Sequence, residues 1–138
     1  MERVKLVENA TIVGALILFA VIGFWSWNVL NDLEADKPAD LTVKVVARQF
    51  AWQFVYPDGT VSGELRVKAG QTVKLELNSE DVIHSFYLRD FGLKKDVVPG
   101  RTNVLYVTPL EPGTYLIQCA EFCGQGHYSM IANMVVEP

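Results

Sequence analysis

Two periodicities divide the chain. From Asn9 to Asn31 no residue carries a charge, and Ile12, Val13, Leu16, Ile17, Leu18, Phe19, Val21 and Ile22 leave no polar face at helical spacing. Such a run predicts one helix of roughly 34 Å, enough to cross a hydrocarbon layer of about 30 Å. A helix lying on a membrane surface would need a polar side. Trp25 and Trp27 come near its C-terminal end, where indoles favour the interface, and Gly14, Gly23, Ala10, Ala15 and Ala20 give small positions for another helix to approach. Residues 32–40, charged and carrying Pro38, read as a linker. From Leu41 the period becomes two. Residues 41–48, 64–68, 72–77 and 103–107 alternate apolar and polar side chains between turn signals at Pro57-Asp58-Gly59, Ala69-Gly70, Pro99-Gly100 and Pro112-Gly113. With 114–118 and 131–136 they predict a mainly β unit, a sandwich or barrel, over 41–138.

Composition and charge sharpen this division. Half of the chain (50%) is hydrophobic, high for a soluble domain of this size. The net charge of −4 belongs to the part after the apolar run, because only Glu2, Arg3, Lys5 and Glu8 precede it. Arg3 and Lys5 before the run and Asp32, Glu34 and Asp36 after it predict a cytoplasmic N-terminus (1–8), a span (9–31) and a C-terminal domain facing the periplasm or cell exterior. A cleavable signal peptide is the competing account; the apolar run is long for one and Ser26-Trp27-Asn28 offers no small-x-small cleavage site. Mild acidity tolerates a basic protein partner and argues against nucleic acid.

The chemistry-bearing residues lie in one stretch. Cys119-Ala-Glu-Phe-Cys-Gly-Gln-Gly-His-Tyr-Ser-Met130 contains both cysteines, one of the two histidines and one of the three methionines, spaced Cys-x3-Cys-x3-His-x2-Met. The other histidine, His84, stands in Asp81-Val-Ile-His-Ser-Phe86. A disulfide between the cysteines is the plain alternative in an exported domain, and Cys2His2 is also a zinc set. A disulfide consumes both thiolates and leaves the histidines without a purpose, and zinc has little use for a thioether. Copper uses all five donors and is favoured. A mononuclear blue-copper site needs one Cys, two His and a weak Met, whereas two thiolates can bridge two copper ions, each capped by one His.

The loop Cys119–Met130 together with Asp81–Phe86 closely resembles subunit II of haem–copper cytochrome c oxidases, whose dinuclear copper A centre has this ligand set. The resemblance implies a cupredoxin-like Greek-key β-barrel and two copper ions held by His84, Cys119, Cys123, His127, Met130 and the Glu121 carbonyl. In some members the side chain at Glu121 also reaches a magnesium or manganese ion shared with subunit I. It further implies a membrane-bound oxidoreductase of a respiratory chain, in a prokaryotic cell membrane. Cytochrome c would be the electron donor, and haem-bearing subunit I would be both the acceptor and the place where O2 is reduced to water.

The single span is similar to the B-type branch, in which a separate single-helix membrane subunit can occupy the missing helix position. Phe50 and Trp52, in Phe50-Ala-Trp-Gln-Phe-Val-Tyr56, match the stretch that lies over the copper centre and takes up the electron. Many members have Trp where this chain has Phe50, so the receiving residue stays open between the two. Glu8 matches a glutamate near the mouth of a proton-conducting path in the single-span oxidases; its plain reading is an acid in the first turn of a helix. Arg101, in Val97-Val-Pro-Gly-Arg101, matches a region facing subunit I. The alternative from another class is a membrane-tethered copper carrier. A nitrous oxide reductase would need a large catalytic domain, and a quinol oxidase subunit would lack the ligands.

Overall fold

A computed structural model describes residues 1–138, in two compact units, Met1–Lys37 and Pro38–Pro138. The first is one helix, α1 (Glu2–Glu34), of 33 residues, with no buried position. It is long and apolar enough to cross a membrane. Outside apolar surroundings, side chains such as Phe19, Phe24 and Trp25 (each more than 70% exposed) would stand in water. The helix outruns the uncharged stretch at both ends because Glu, Arg, Lys and Leu, which flank it, are good helix formers. Glu8 therefore lies in the second turn and Glu2 holds the first-turn acidic position. The dipole reading of Glu8 is thereby corrected, since that effect fades beyond the first turn. Extended backbone at Ala35 ends the helix, and Pro38 follows shortly after.

The second unit contains ten strands in two five-stranded sheets. They are β1 (Leu41–Arg48), β2 (Ala51–Val55), β3 (Val61–Ser62), β4 (Leu65–Lys68), β5 (Val73–Ser79), β6 (His84–Leu88), β7 (Leu93–Val97), β8 (Asn103–Val107), β9 (Gly113–Cys119) and β10 (Ile131–Glu137). One sheet runs β3-β2-β1-β5-β8 and the other β4-β10-β9-β6-β7. Pairing is antiparallel except for β1 with β5 and β10 with β4. Alternation sets the inner face: Val43, Val45 and Ala47 are buried on β1, and Val73, Leu75 and Leu77 on β5. Trp52 and Phe54 of β2 join them, as the aromatic run predicts.

β6 departs from strict alternation of burial, while β7 alternates in burial although its sequence does not alternate apolar and polar residues. On β6, His84, Ser85 and Phe86 are buried in succession, because the outward Ser85 hydroxyl donates to Asp96 Oδ1 of β7 at 2.9 Å. β7 reads Leu-Lys-Lys-Asp-Val, with Lys94 and Asp96 exposed on an edge strand. Charge on an edge discourages pairing with another chain.

The sheet order β10-β9-β6 positions the site. Register puts Phe86 opposite Cys119 and Ile131 opposite Gln118. The ends of these three strands meet where Cys119 N–H donates to the Met130 carbonyl (3.1 Å) and Ala120 N–H to the Ser85 carbonyl (2.9 Å).

Candidate metal centre

Residues 120–130 leave β9 and return on β10, so the two strands hold both ends of the loop. Within it, N–H groups of His127, Ser129 and Met130 donate to the carbonyls of Gly124, Gly126 and His127, forming the short 3-10 turn His127–Ser129. These bonds satisfy the loop backbone internally and leave the side chains of Cys123, His127 and Met130 free to turn inward. Gly124 has φ +133, in the region where a side chain is strained.

Five donors from two parts of the chain converge here. Cys119 Sγ lies 3.7 Å from Cys123 Sγ and 3.9 Å from His84 Nδ1. Cys123 Sγ lies 3.5 Å from His127 Nδ1 and 3.8 Å from Met130 Sδ. The Glu121 carbonyl is 3.2 Å from Cys119 Sγ, while its carboxylate side chain is exposed. His84, Cys119 and Cys123 bring their ligand atoms within 4.8 Å of one another, all three buried. Both cysteines are free thiols. Burial, then the neighbouring Cys119 sulfur, pushes the Cys123 thiol up to about 11. A metal bound at Cys123 must therefore displace its proton. Two sulfurs, two imidazole nitrogens, a thioether and a carbonyl suit a soft metal ion such as copper, so donor chemistry and placement fit together.

A further layer holds the donors. His84 Nε2 lies 2.7 Å from Asp81 Oδ1, a contact that orients the ring and turns Nδ1 to the sulfur side. Asp81 also accepts the N–H groups of Gln49 (2.7 Å) and Val82 (2.6 Å). Burial pushes its carboxyl up, but hydrogen bonds from His84, Gln49 and Val82 outweigh that and bring its pKa to about 2. The Gln49 side chain donates to the Cys123 carbonyl at 2.6 Å. Asp81 was legible as part of the His84 motif; Gln49 carries no signal in the sequence that would single it out.

Phe50 and Trp52 occupy different depths. Phe50 is 37% exposed, and its ring lies on the loop backbone: a Cβ on Gly126 would come within 2.8 Å of Phe50 Cγ. Trp52 is 3% exposed and packs edge-on against His84 and Phe86, with ring centroids 6.2 and 5.4 Å away. Its indole N–H has no protein partner. Phe122 and Tyr128 project from the loop into solvent, Phe122 with its ring 5.9 Å from that of His127. Arg101 is exposed after the turn at Gly100, and Glu8 lies on α1, in the other unit; neither joins the donor cluster.

The model of the cytochrome c oxidase subunit II periplasmic domain matches residues 60–137. Cytochrome c oxidase subunit 2 of Thermostichus vulcanus is 45% identical over 106 residues, covering 76% of this chain and 32% of that relative. This chain spans less than two thirds of the length of the curated relatives it matches. Among solved structures, the periplasmic domain of subunit II of cytochrome oxidase of Bradyrhizobium japonicum superposes with a TM-score of 0.68 at 30% identity, covering 73% of this chain and 86% of that one. Auracyanin A, a blue copper protein from Chloroflexus aurantiacus, is similar in fold alone (TM-score 0.52, 20% identity, 70% of this chain and 98% of that one). The β unit is cupredoxin-like. Since the family model takes in most of that unit, including both strands that frame the donor loop and every donor in it, the chain belongs to the cytochrome c oxidase subunit II family.

Proposed function

We propose that this chain is the electron-accepting subunit of a terminal cytochrome c oxidase, and that Cys119, Cys123, His84, His127, Met130 and the Glu121 carbonyl hold a dinuclear copper A centre. The observation that carries the reading is the convergence of two thiols, two imidazole Nδ1 atoms and a thioether around Cys123 and Cys119. Such a centre, when bound, accepts and releases one electron at a time.

The chain's own residues do the rest. Asp81 orients His84 through Nε2. Cys119 and Cys123, with sulfurs 3.7 Å apart, would hold the copper together with His84 and His127, and Met130 and the Glu121 carbonyl would be the weak donors. Trp52, Phe86 and the buried Met130 exclude water from the inner side. A rigid two-sheet scaffold presets the ligands, so little rearrangement accompanies a change of charge. Phe50, exposed at its edge and seated on the loop, takes up the electron at the surface, with Trp52 behind it against His84.

In this reading cytochrome c is the donor and haem in subunit I the acceptor. Dioxygen is reduced to water there, because no residue of this chain offers a general base or nucleophile beside an open metal position. α1 anchors the chain in a prokaryotic cell membrane with the N-terminus cytoplasmic and the β unit outside. Arg101 faces subunit I, the exposed Glu121 carboxylate serves a magnesium or manganese ion at that boundary, and a small single-helix subunit packs beside α1. A copper carrier would need exposed, exchangeable donors; here Met130 and His84 are fully buried and both cysteines nearly so.

The test is to purify the full chain in detergent, load it with copper, and record metal content together with the electron paramagnetic resonance spectrum. Two coppers per chain and hyperfine structure from one electron shared by both nuclei are expected. One copper, or none with a Cys119–Cys123 disulfide, would overturn the reading.

A further inference from the structure

The donor cluster draws on one sheet only: His84 opens β6, and the loop joins β9 to β10. The opposite sheet packs the Trp52 ring beside His84 and, through the turn between β1 and β2, brings a hydrogen-bonding residue, Gln49. Two groups of this one residue point to two different supports. Its backbone N–H donates to Asp81 Oδ2 at 2.7 Å, and the other oxygen of Asp81 holds His84 Nε2 at 2.7 Å. Its side-chain Nε2 donates to the Cys123 carbonyl at 2.6 Å, across 74 residues of sequence. The loop is shaped to admit that amide: a Cβ at Gly124 would stand 2.8 Å from Gln49 Nε2. The next residue, Phe50, then covers the loop at Gly124 and Gly126.

We propose that Gln49 is a positioning residue: it clamps the ligand loop at Cys123 and, by the same short segment, the support of His84, so that the two ligand sources keep one separation before metal arrives. This deepens the reading of the site given above. The Gln49 amide donates to the loop at Cys123 rather than to the strands on either side of it.

Two variants of the full chain in detergent test it. Gln49→Glu keeps the length and replaces the donor by an acceptor; Gln49→Met keeps the length and buries no charge. Both leave the backbone bond to Asp81. In copper-free protein, amide exchange at His127 and Ser129, whose N–H groups close the loop's turns, should rise about tenfold, the effect of losing one hydrogen bond. Amides of β1 and β5 should exchange as in the wild type. In copper-loaded protein, release to excess chelator should quicken by about the same factor, with a changed hyperfine pattern.

Unchanged exchange at His127 and Ser129 in either variant overturns the clamp. A rise shared equally by β1 and β5, or failure of both variants to fold, overturns it as well, because a positioning role leaves the strands intact. Should wild-type protein bind no copper, the copper A reading fails, and the copper-free exchange still decides the clamp.

Discussion

Asp81 Oδ1 lies 2.7 Å from His84 Nε2, and this contact leaves Nδ1 as the metal-facing nitrogen, on the side of Cys119. Substituting Asp81→Ala removes the acceptor, frees the ring to turn and strands a buried imidazole N–H. Copper affinity is expected to fall by roughly 10–100-fold, as for other groups that orient a metal-binding histidine; competition with a chelator of known affinity measures it. Phe50 and Trp52 should separate by their depth. Phe50→Leu, at the exposed edge, slows reduction by cytochrome c in stopped-flow measurements while copper content holds. Trp52→Leu empties space beside His84 and Phe86, and the loss registers first as stability, on the order of 2–3 kcal/mol by urea unfolding. Equal reduction rates for the two variants would rule out a special role for Phe50. At Glu8, which stands clear of the first-turn dipole, Glu8→Gln should slow turnover of the assembled oxidase and leave copper content unchanged; unaltered turnover sinks the proton-path assignment.

Among the elements, the loop between β9 and β10 is the one whose backbone has no slack. Gly126 lies under the Phe50 ring, so Gly126→Ala forces that ring or the loop to shift and should cost about 1–3 kcal/mol, the usual range for overpacking. Gly63, where an added Cβ meets nothing, is the matched control, and Gly63→Ala should change stability by roughly 0.5 kcal/mol or less. Denaturant unfolding of both variants compares them directly. Several strands were readable: β1 and β8 fall where apolar and polar positions alternate, β9 where Thr114–Gln118 leads into the cysteines, and β10 where Ile131–Val136 leaves the loop. β6 and β7 were not, for physical reasons. β6 buries His84, Ser85 and Phe86 in succession, and β7 carries Lys94, Lys95 and Asp96 on a sheet edge, so neither shows period two to a reader of the sequence alone.

For the whole molecule, the β unit has an apolar core that runs through both sheets, from Val43 and Leu75 to Ile117 and Met134. Copper removal should therefore lower the melting temperature, because a ligand that binds only the folded state adds stability. The far-ultraviolet circular dichroism of the strands should persist. Loss of the β signal on chelation would mean that the metal, not the core, organises the fold. α1, in the other unit, has no buried position and is long and apolar enough to cross a membrane.

The sequence by itself determined the division into an apolar helix and an alternating β unit, because helical and strand periods are local properties of side-chain order. It also determined the donor set: both cysteines, His127 and Met130 stand together in one loop, and His84 is the only histidine left to join them. Tertiary structure decided what depends on contacts between distant segments. It put Phe50 at the surface and Trp52 in the core, although the two are neighbours in one aromatic run. It brought the Gln49 side chain to the Cys123 carbonyl and the Gln49 N–H to Asp81, contacts that exist only once distant segments close around the site. No local pattern encodes such pairs, since each follows from strand order and register rather than from the residues on either side.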